Sequence, residues 1–204
     1  MQIRFTIFSL FVVTCCAALA TEPPNVVIVL ADDLGYGDVG ANNPNSKIPT
    51  PAMDRVAAQG MRFTDGHSPS AVCTPTRYAL LTGRYCWRTS LKRGVLWGID
   101  PSLIDPKRST MASVLKGKGY RTACVGKWHL GIDFRDKNGK LLRNQSHYQE
   151  KPDSVPIDYS KPVVNSPLTY GFDESLIITG SLNMYPYAYI CLLYTSDAAD
   201  ELCS

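Results

Sequence analysis

Residues 25–31 read NVVIVLA and run directly into Asp32 and Asp33. An unbroken β-branched and apolar run has no polar face to offer water, so it predicts a strand covered on both sides, as in a parallel sheet. The acid pair then falls at the strand's C-terminal end, where open α/β sheets place their ligands. Further along, Thr50-Pro51 supplies a capping residue and a proline at the first helical position, and Gly60 closes that helix. Met61 to Thr64 reads as a second, short strand. Thr74-Pro75 opens the next helix in the same way and leaves Cys73 at or just before its N-terminus. Ser109 caps a helix over Thr110 to Lys116, and Tyr120 to Val125 is another buried strand ahead of GKWHLG at 126–131. Leu176 to Thr179 reads as a further strand. Strands alternating with helices make the class α/β, with a largely parallel sheet flanked by helices. Residues 132–170 are polar, contain prolines and show little periodicity, which predicts a long excursion, either a loop at the substrate face or an ordinary surface insertion.

The first 20 residues carry one early cation, Arg4, then an apolar run ending in Ala18-Leu19-Ala20. This is the pattern of a cleaved secretory signal, and the run is short of the roughly 18 to 20 apolar residues of a membrane span. The expected location is therefore secreted or periplasmic, with no stable membrane span, and residues 21–190 are the expected catalytic portion. The stretch CLLYTSDAADE at 191–201 resembles one reading frame of a sequencing-library adaptor, so 191–204 is expected to be a non-native tail. Of the seven cysteines, Cys15 and Cys16 fall in the leader and Cys191 and Cys203 in the tail. Cys73, Cys86 and Cys124 remain, an odd set for an oxidising compartment, where an unpaired thiol calls for a chemical reason. Cys124 reads as a small buried hydrophobe. A Cys86–Cys124 disulfide is the alternative for that pair. The formal charge of +3 constrains partners little, and nothing points to nucleic acid. Arg84, Arg88, Lys92 and Arg93 form the densest basic group, either a solvated surface or an attractor for a sulfated polyanion.

The chemistry lies in CTPTRYALLTGR at 73–84, together with ADDLGYGD at 31–38 and GKWHLG at 126–131. The CxPxR spacing of Cys73, Pro75 and Arg77 resembles the signature of type I, arylsulfatase-like sulfatases, and the other two motifs resemble that family's in the same order. Thr76 stands where many relatives carry serine. The resemblance runs over about residues 24–190. It implies an alkaline-phosphatase-like (sulfatase) fold, C-terminally truncated here, and oxidation of Cys73 to formylglycine by a sulfatase-maturing enzyme. A formylglycine hydrate has two hydroxyls, so one attacks sulfur and expels the alcohol, and deprotonation of the other releases sulfate, covalent catalysis in two easier steps. An unmodified Cys73 at a helix start would instead be a reactive thiol.

The same resemblance implies that Arg77 points toward residue 73. Lys127 would bind sulfate and formylglycine oxygens, and His129 would act as the base. Residues two apart on an extended segment point to one side, which suits that pair. Two adjacent carboxylates repel unless a cation or a turn relieves them, and Asp32 and Asp33, with residue 73, are implied ligands of Ca2+ or Mg2+. Calcium takes about six to eight oxygens, so this set is incomplete without waters and the family's later Asp/Asn pair, for which this sequence has no counterpart. Ser181, in GSLNMYPY, matches a sulfate-contacting serine of arylsulfatase relatives or is a plain turn serine. His67 and His147 read as loop residues. The expected activity is hydrolysis of sulfate monoesters, of a sulfated glycan or an aryl sulfate. The alternatives are a phosphomonoester or phosphonate hydrolase on the same fold, a non-catalytic sulfated-glycan binder, or an inactive fragment.

Overall fold

The computed structural model describes residues 22–143 and 154–195. The expected leader, His147 and residues 196–204 lie outside them. The chain divides into two compact units, Met1–Arg55 and Val56–Ser204.

In the first unit the NVVIVLA run is extended, with Val27 and Val29 83 % exposed against 42–52 % for Val26, Ile28 and Leu30. It pairs with no strand among the described residues, so the expected buried strand is corrected to an unpaired extended segment. Composition dictates its local backbone, whereas a strand is completed by a ladder partner that composition does not supply. Asp32 and Asp33 follow it and are exposed. Helix α1 (Pro51–Gln59) opens behind Thr50 as expected. The Thr50 hydroxyl donates to Asp54 Oδ1 at 3.0 Å and accepts the Gly40 N–H at 2.8 Å, and Asp54 Oδ1 accepts the Ala41 N–H at 2.7 Å. These bonds tie the preceding loop to the helix start.

In the second unit Met61 to Thr64 is loop, with Met61 and Phe63 exposed. Its apolar residues merely alternate and it has no ladder neighbour among the described residues, so the second predicted strand does not form. Helix α2 (Cys73–Thr82) buries Thr74, Tyr78 and Leu81, one face at helical spacing. Gly83 ends it in the left-handed region at φ 64°, its N–H donating to Ala79 O at 2.8 Å. Helix α3 (Met111–Lys116) is capped by Thr110 rather than Ser109. Thr110 is buried, its hydroxyl accepts the Ser113 N–H at 3.0 Å, and it also reaches the Tyr170 carbonyl at 2.5 Å. That second contact favours it over its neighbour.

The sheet has four strands in the order β1 (Ala123–Lys127), β2 (Glu174–Ile178), β3 (Tyr189–Cys191) and β4 (Tyr194–Thr195). β1 and β2 are parallel, with Ala123 opposite Glu174 and Lys127 opposite Ile178. The other two pairings are antiparallel, so the α/β class holds while this sheet is mixed. Only Leu192 and Leu193 join β3 to β4, and so short a link permits an antiparallel pair alone. Residues 132–170 also depart from expectation. Ile132, Phe134 and Val163 enter the same core as Tyr78, Leu130 and Ile177. Asp133 bridges Val164 and Arg135 bridges Leu141. The apolar residues of this stretch are spaced by tertiary contact, which leaves no period to read. Tyr170 anchors it, stacked on Trp128 at 6.0 Å with its hydroxyl donating to Ile104 O at 2.9 Å. Burial pushes that phenol up to about 12.

Cys86 and Cys124 are free thiols, so no Cys86–Cys124 disulfide forms. Burial raises the Cys86 thiol, and raises Cys124 to about 11 although the Arg77 charge opposes it. Among the described residues no helix is long and apolar enough to cross a membrane.

Candidate active site

The site grows from the C-terminal ends of β1 and β2 and the N-terminus of α2. Proline at the third residue of α2 and an extended Val72 before it start that helix at Cys73. Lys127 ends β1, and its Nζ donates to Cys73 Sγ at 3.1 Å. One turn along α2, Arg77 Nη1 donates to the Lys127 carbonyl at 2.5 Å. The expectation for Arg77 was a guanidinium aimed at residue 73. The structure gives it hold of the main chain that carries the lysine. A lysine ammonium and an arginine fork thus flank the helix start, where the helix dipole also favours negative charge.

Beyond Lys127 the β1–β2 pairing continues, with Trp128 N–H donating to Ile178 O at 2.9 Å and His129 N–H to Thr179 O at 3.1 Å. His129 adopts a left-handed φ of 55° and its side chain is buried. Its Nε2 lies 2.6 Å from Leu96 O. A carbonyl only accepts, so Nε2 carries a hydrogen and Nδ1 is the ring nitrogen at which a proton can be gained or lost. Thr74 closes the arrangement, its hydroxyl donating to His129 O at 3.0 Å and accepting the Leu96 N–H at 3.1 Å. Thr74, Leu96 and His129 therefore share one buried circuit of hydrogen bonds.

Ser181 is half-buried two residues after Thr179, and its carbonyl accepts the Met184 N–H at 2.9 Å. It lines a pocket with Gly180, Leu182, Met184 and Tyr187. Ser181 makes no hydrogen bond to Cys73 or Lys127 and is tied to them through the β2 backbone. Its loop closes on Gly98, where a Cβ would fall 2.3 Å from Tyr185 O. Asp32 and Asp33 belong to the first unit and offer adjacent, exposed carboxylates. Such hard oxygen donors suit Ca2+ or Mg2+, and a cation there relieves their mutual repulsion. His67 is an exposed loop residue 2.7 Å from Asp65, as its sequence context suggests.

The sequence reading missed the roles of Thr74, Leu96 and Gly98. Thr74 was legible only as a member of CTPTR and as the residue opening a helix, a cap it does not supply because α2 begins at Cys73 behind Val72. Leu96 acts through its backbone and Gly98 through lack of a side chain, and neither leaves a side-chain signal.

A family model described as Sulfatase matches residues 24–181. The chain is 34 % identical over 170 residues to N-acetylgalactosamine-6-O-sulfatase of Bacteroides thetaiotaomicron, covering 83 % of this chain and 29 % of that protein. It is 44 % identical over 125 residues to human arylsulfatase A, covering 61 % and 24 %. A solved structure of a 6S-sulfatase from a Bacteroides thetaiotaomicron locus for glycosaminoglycan metabolism aligns with TM-score 0.65 and 33 % identity over 81 % of this chain and 30 % of that one. Ps i-CgsB in complex with k-i-k-neocarrahexaose aligns with TM-score 0.53 and 27 % identity over 78 % and 29 %. The chain thus spans under a third of the length of these relatives. The family model and the shared fold both extend over most of its residues, and the chain belongs to the sulfatase family.

Proposed function

We propose that this chain supplies the nucleophile side of an arylsulfatase-type sulfuric ester hydrolase acting on sulfate monoesters. The observation that carries the proposal is Lys127 Nζ on Cys73 Sγ at the start of α2. Formylglycine made from Cys73 by a maturing enzyme supplies, as its hydrate, two hydroxyls on one carbon. Lys127 then sits where negative charge gathers on residue 73 and on a bound sulfate, and a fixed ammonium there favours the charged state at little reorganisation cost. Arg77 keeps the lysine's main chain in place. His129, held by Leu96 at Nε2, takes a proton at Nδ1, and Ser181 contributes to the sulfate-binding side. Asp32 and Asp33 would ligate Ca2+, or Mg2+, which when bound polarises sulfate oxygens.

The names of the relatives support a sulfated glycan as substrate class. The leader-like composition of residues 1–20 supports export, to the periplasm or beyond. The test uses full-length protein produced with a formylglycine-generating enzyme. Mass spectrometry of the peptide containing residue 73 should find the aldehyde. Turnover of an aryl sulfate should exceed that of the matching aryl phosphate, and Cys73→Ala or chelation of divalent cations should remove it. Faster cleavage of the phosphate would instead assign a phosphomonoesterase.

A further inference from the structure

Residues 66–99 contain no aspartate or glutamate, yet they carry Arg77, Arg84, Arg88, Lys92 and Arg93. The last four of these cluster after the C-terminal end of α2, around a short 3-10 turn at Cys86–Arg88. Cys86 is anchored in the core, while Tyr85 and Trp87 on either side are 55 % and 61 % exposed. Their rings stack on each other, with centroids 5.9 Å apart and planes 18° from parallel. The turn is braced, the Thr89 hydroxyl donating to Cys86 O at 2.7 Å and accepting the Leu91 N–H at 3.1 Å. Lys92 Nζ donates to Trp87 O at 3.0 Å and Arg84 Nη2 to Arg88 O at 3.2 Å, which brings cations onto successive carbonyls beside the ring pair. Among the described residues none of Arg84, Arg88, Lys92 or Arg93 forms an ion pair with a carboxylate.

We infer that this turn is an accessory binding surface for a sulfated polysaccharide. Arginine forks and a lysine point charge suit sulfate oxygens, and exposed aromatic faces suit the apolar faces of sugar rings. The choice of occupant rests on the sulfatase reading. The location does not, because α2 has 10 residues. At 1.5 Å per residue, about 15 Å of helix separates the turn from the Cys73 end, so the surface holds a polymer without touching the bond that is cleaved. Positive charge with no ion-paired acid also speeds the approach of a polyanion.

Binding of dextran sulfate to the full-length protein tests this, with unsubstituted dextran and polyphosphate as comparators. Relative to wild type, the variant Arg88→Gln/Lys92→Gln/Arg93→Gln should bind dextran sulfate at least about tenfold more weakly, and its slope of log affinity against log salt should fall by about 2. Trp87→Ala should weaken dextran sulfate several-fold with the slope unchanged and leave polyphosphate affinity unaffected. Unsubstituted dextran should not bind measurably. Both variants should hydrolyse a small aryl sulfate at the wild-type rate. Absence of that hydrolysis from every protein, wild type included, overturns the sulfatase reading alone. Unchanged dextran sulfate affinity in both variants, or equal affinity for polyphosphate, overturns the accessory surface.

Discussion

The Thr74 hydroxyl donates to the backbone carbonyl of His129 at 3.0 Å, joining residues 55 apart in sequence. The same oxygen accepts the Leu96 N–H, so one buried side chain holds the main chain of two other segments. Thr74→Val keeps the shape and strands both partners. An unpaired buried polar group costs about 1–3 kcal/mol, so the unfolding midpoint in denaturant should fall accordingly, while Thr74→Ser should recover most of the loss. Equal stability of the valine and wild-type proteins would show that the circuit carries no load.

Lys127 and Arg77 should behave as a unit, because Arg77 holds the carbonyl of the lysine that contacts Cys73. Lys127→Ala should lower aryl sulfate kcat by roughly 10²–10³, the scale for losing one aligned electrostatic partner. Arg77→Met should lower it too, and the double variant should lose less than the two effects added. Strict additivity in that cycle would separate the roles.

Asp173 pairs with Lys116 at 2.6 Å and accepts the Thr122 N–H and hydroxyl at 2.9 Å each. The Lys116 bond first, then the Thr122 bonds, lower its carboxyl from 3.8 to about 2. A depressed carboxylate stabilises the fold above its unfolded value and loses that contribution as pH falls through the folded one. The Tm gap between wild type and Asp173→Asn should be steady near neutrality and close between about pH 4 and pH 2. A gap that persists at the acid end would sink this assignment.

Gly98→Ala should disturb the loop around Tyr185, since the new Cβ would meet the Tyr185 carbonyl at 2.3 Å. Overpacking of this kind costs about 1–3 kcal/mol, and faster amide exchange confined to residues 181–187 and their Gly98 contact would report it. Exchange unchanged there would mean that the backbone yields without effect.

What the sequence disclosed follows from locality. α2 was legible because Pro75, Gly83 and the spacing of Thr74, Tyr78 and Leu81 act within one helix. β1 and β2 were legible to within three residues because β-branched and apolar runs favour extended backbone locally, but the burial expected of Tyr120 to Val125 does not hold for β1, where Val125 is 79 % exposed. NVVIVLA shows the limit, since its extended backbone is local chemistry while its pairing is not. The mixed sheet was hidden because β3 and β4 are too short to carry a period. At the site, Cys73, Lys127 and His129 stood out through the CTPTR and GKWHLG motifs and the family those motifs resemble. Thr74 and Gly98 did not, because one works through a hydroxyl that elsewhere merely caps a turn and the other through an absent atom.

The backbone bonds that carry β1–β2 pairing past Lys127 have an evolutionary consequence. They fasten Ile178 and Thr179, from which the segment Ser181 to Tyr187 continues, to Trp128 and His129 beside the lysine through amides and carbonyls, which every residue but proline can supply. Side chains along that segment can therefore diverge while Lys127 and the Cys73 end of α2 keep their address.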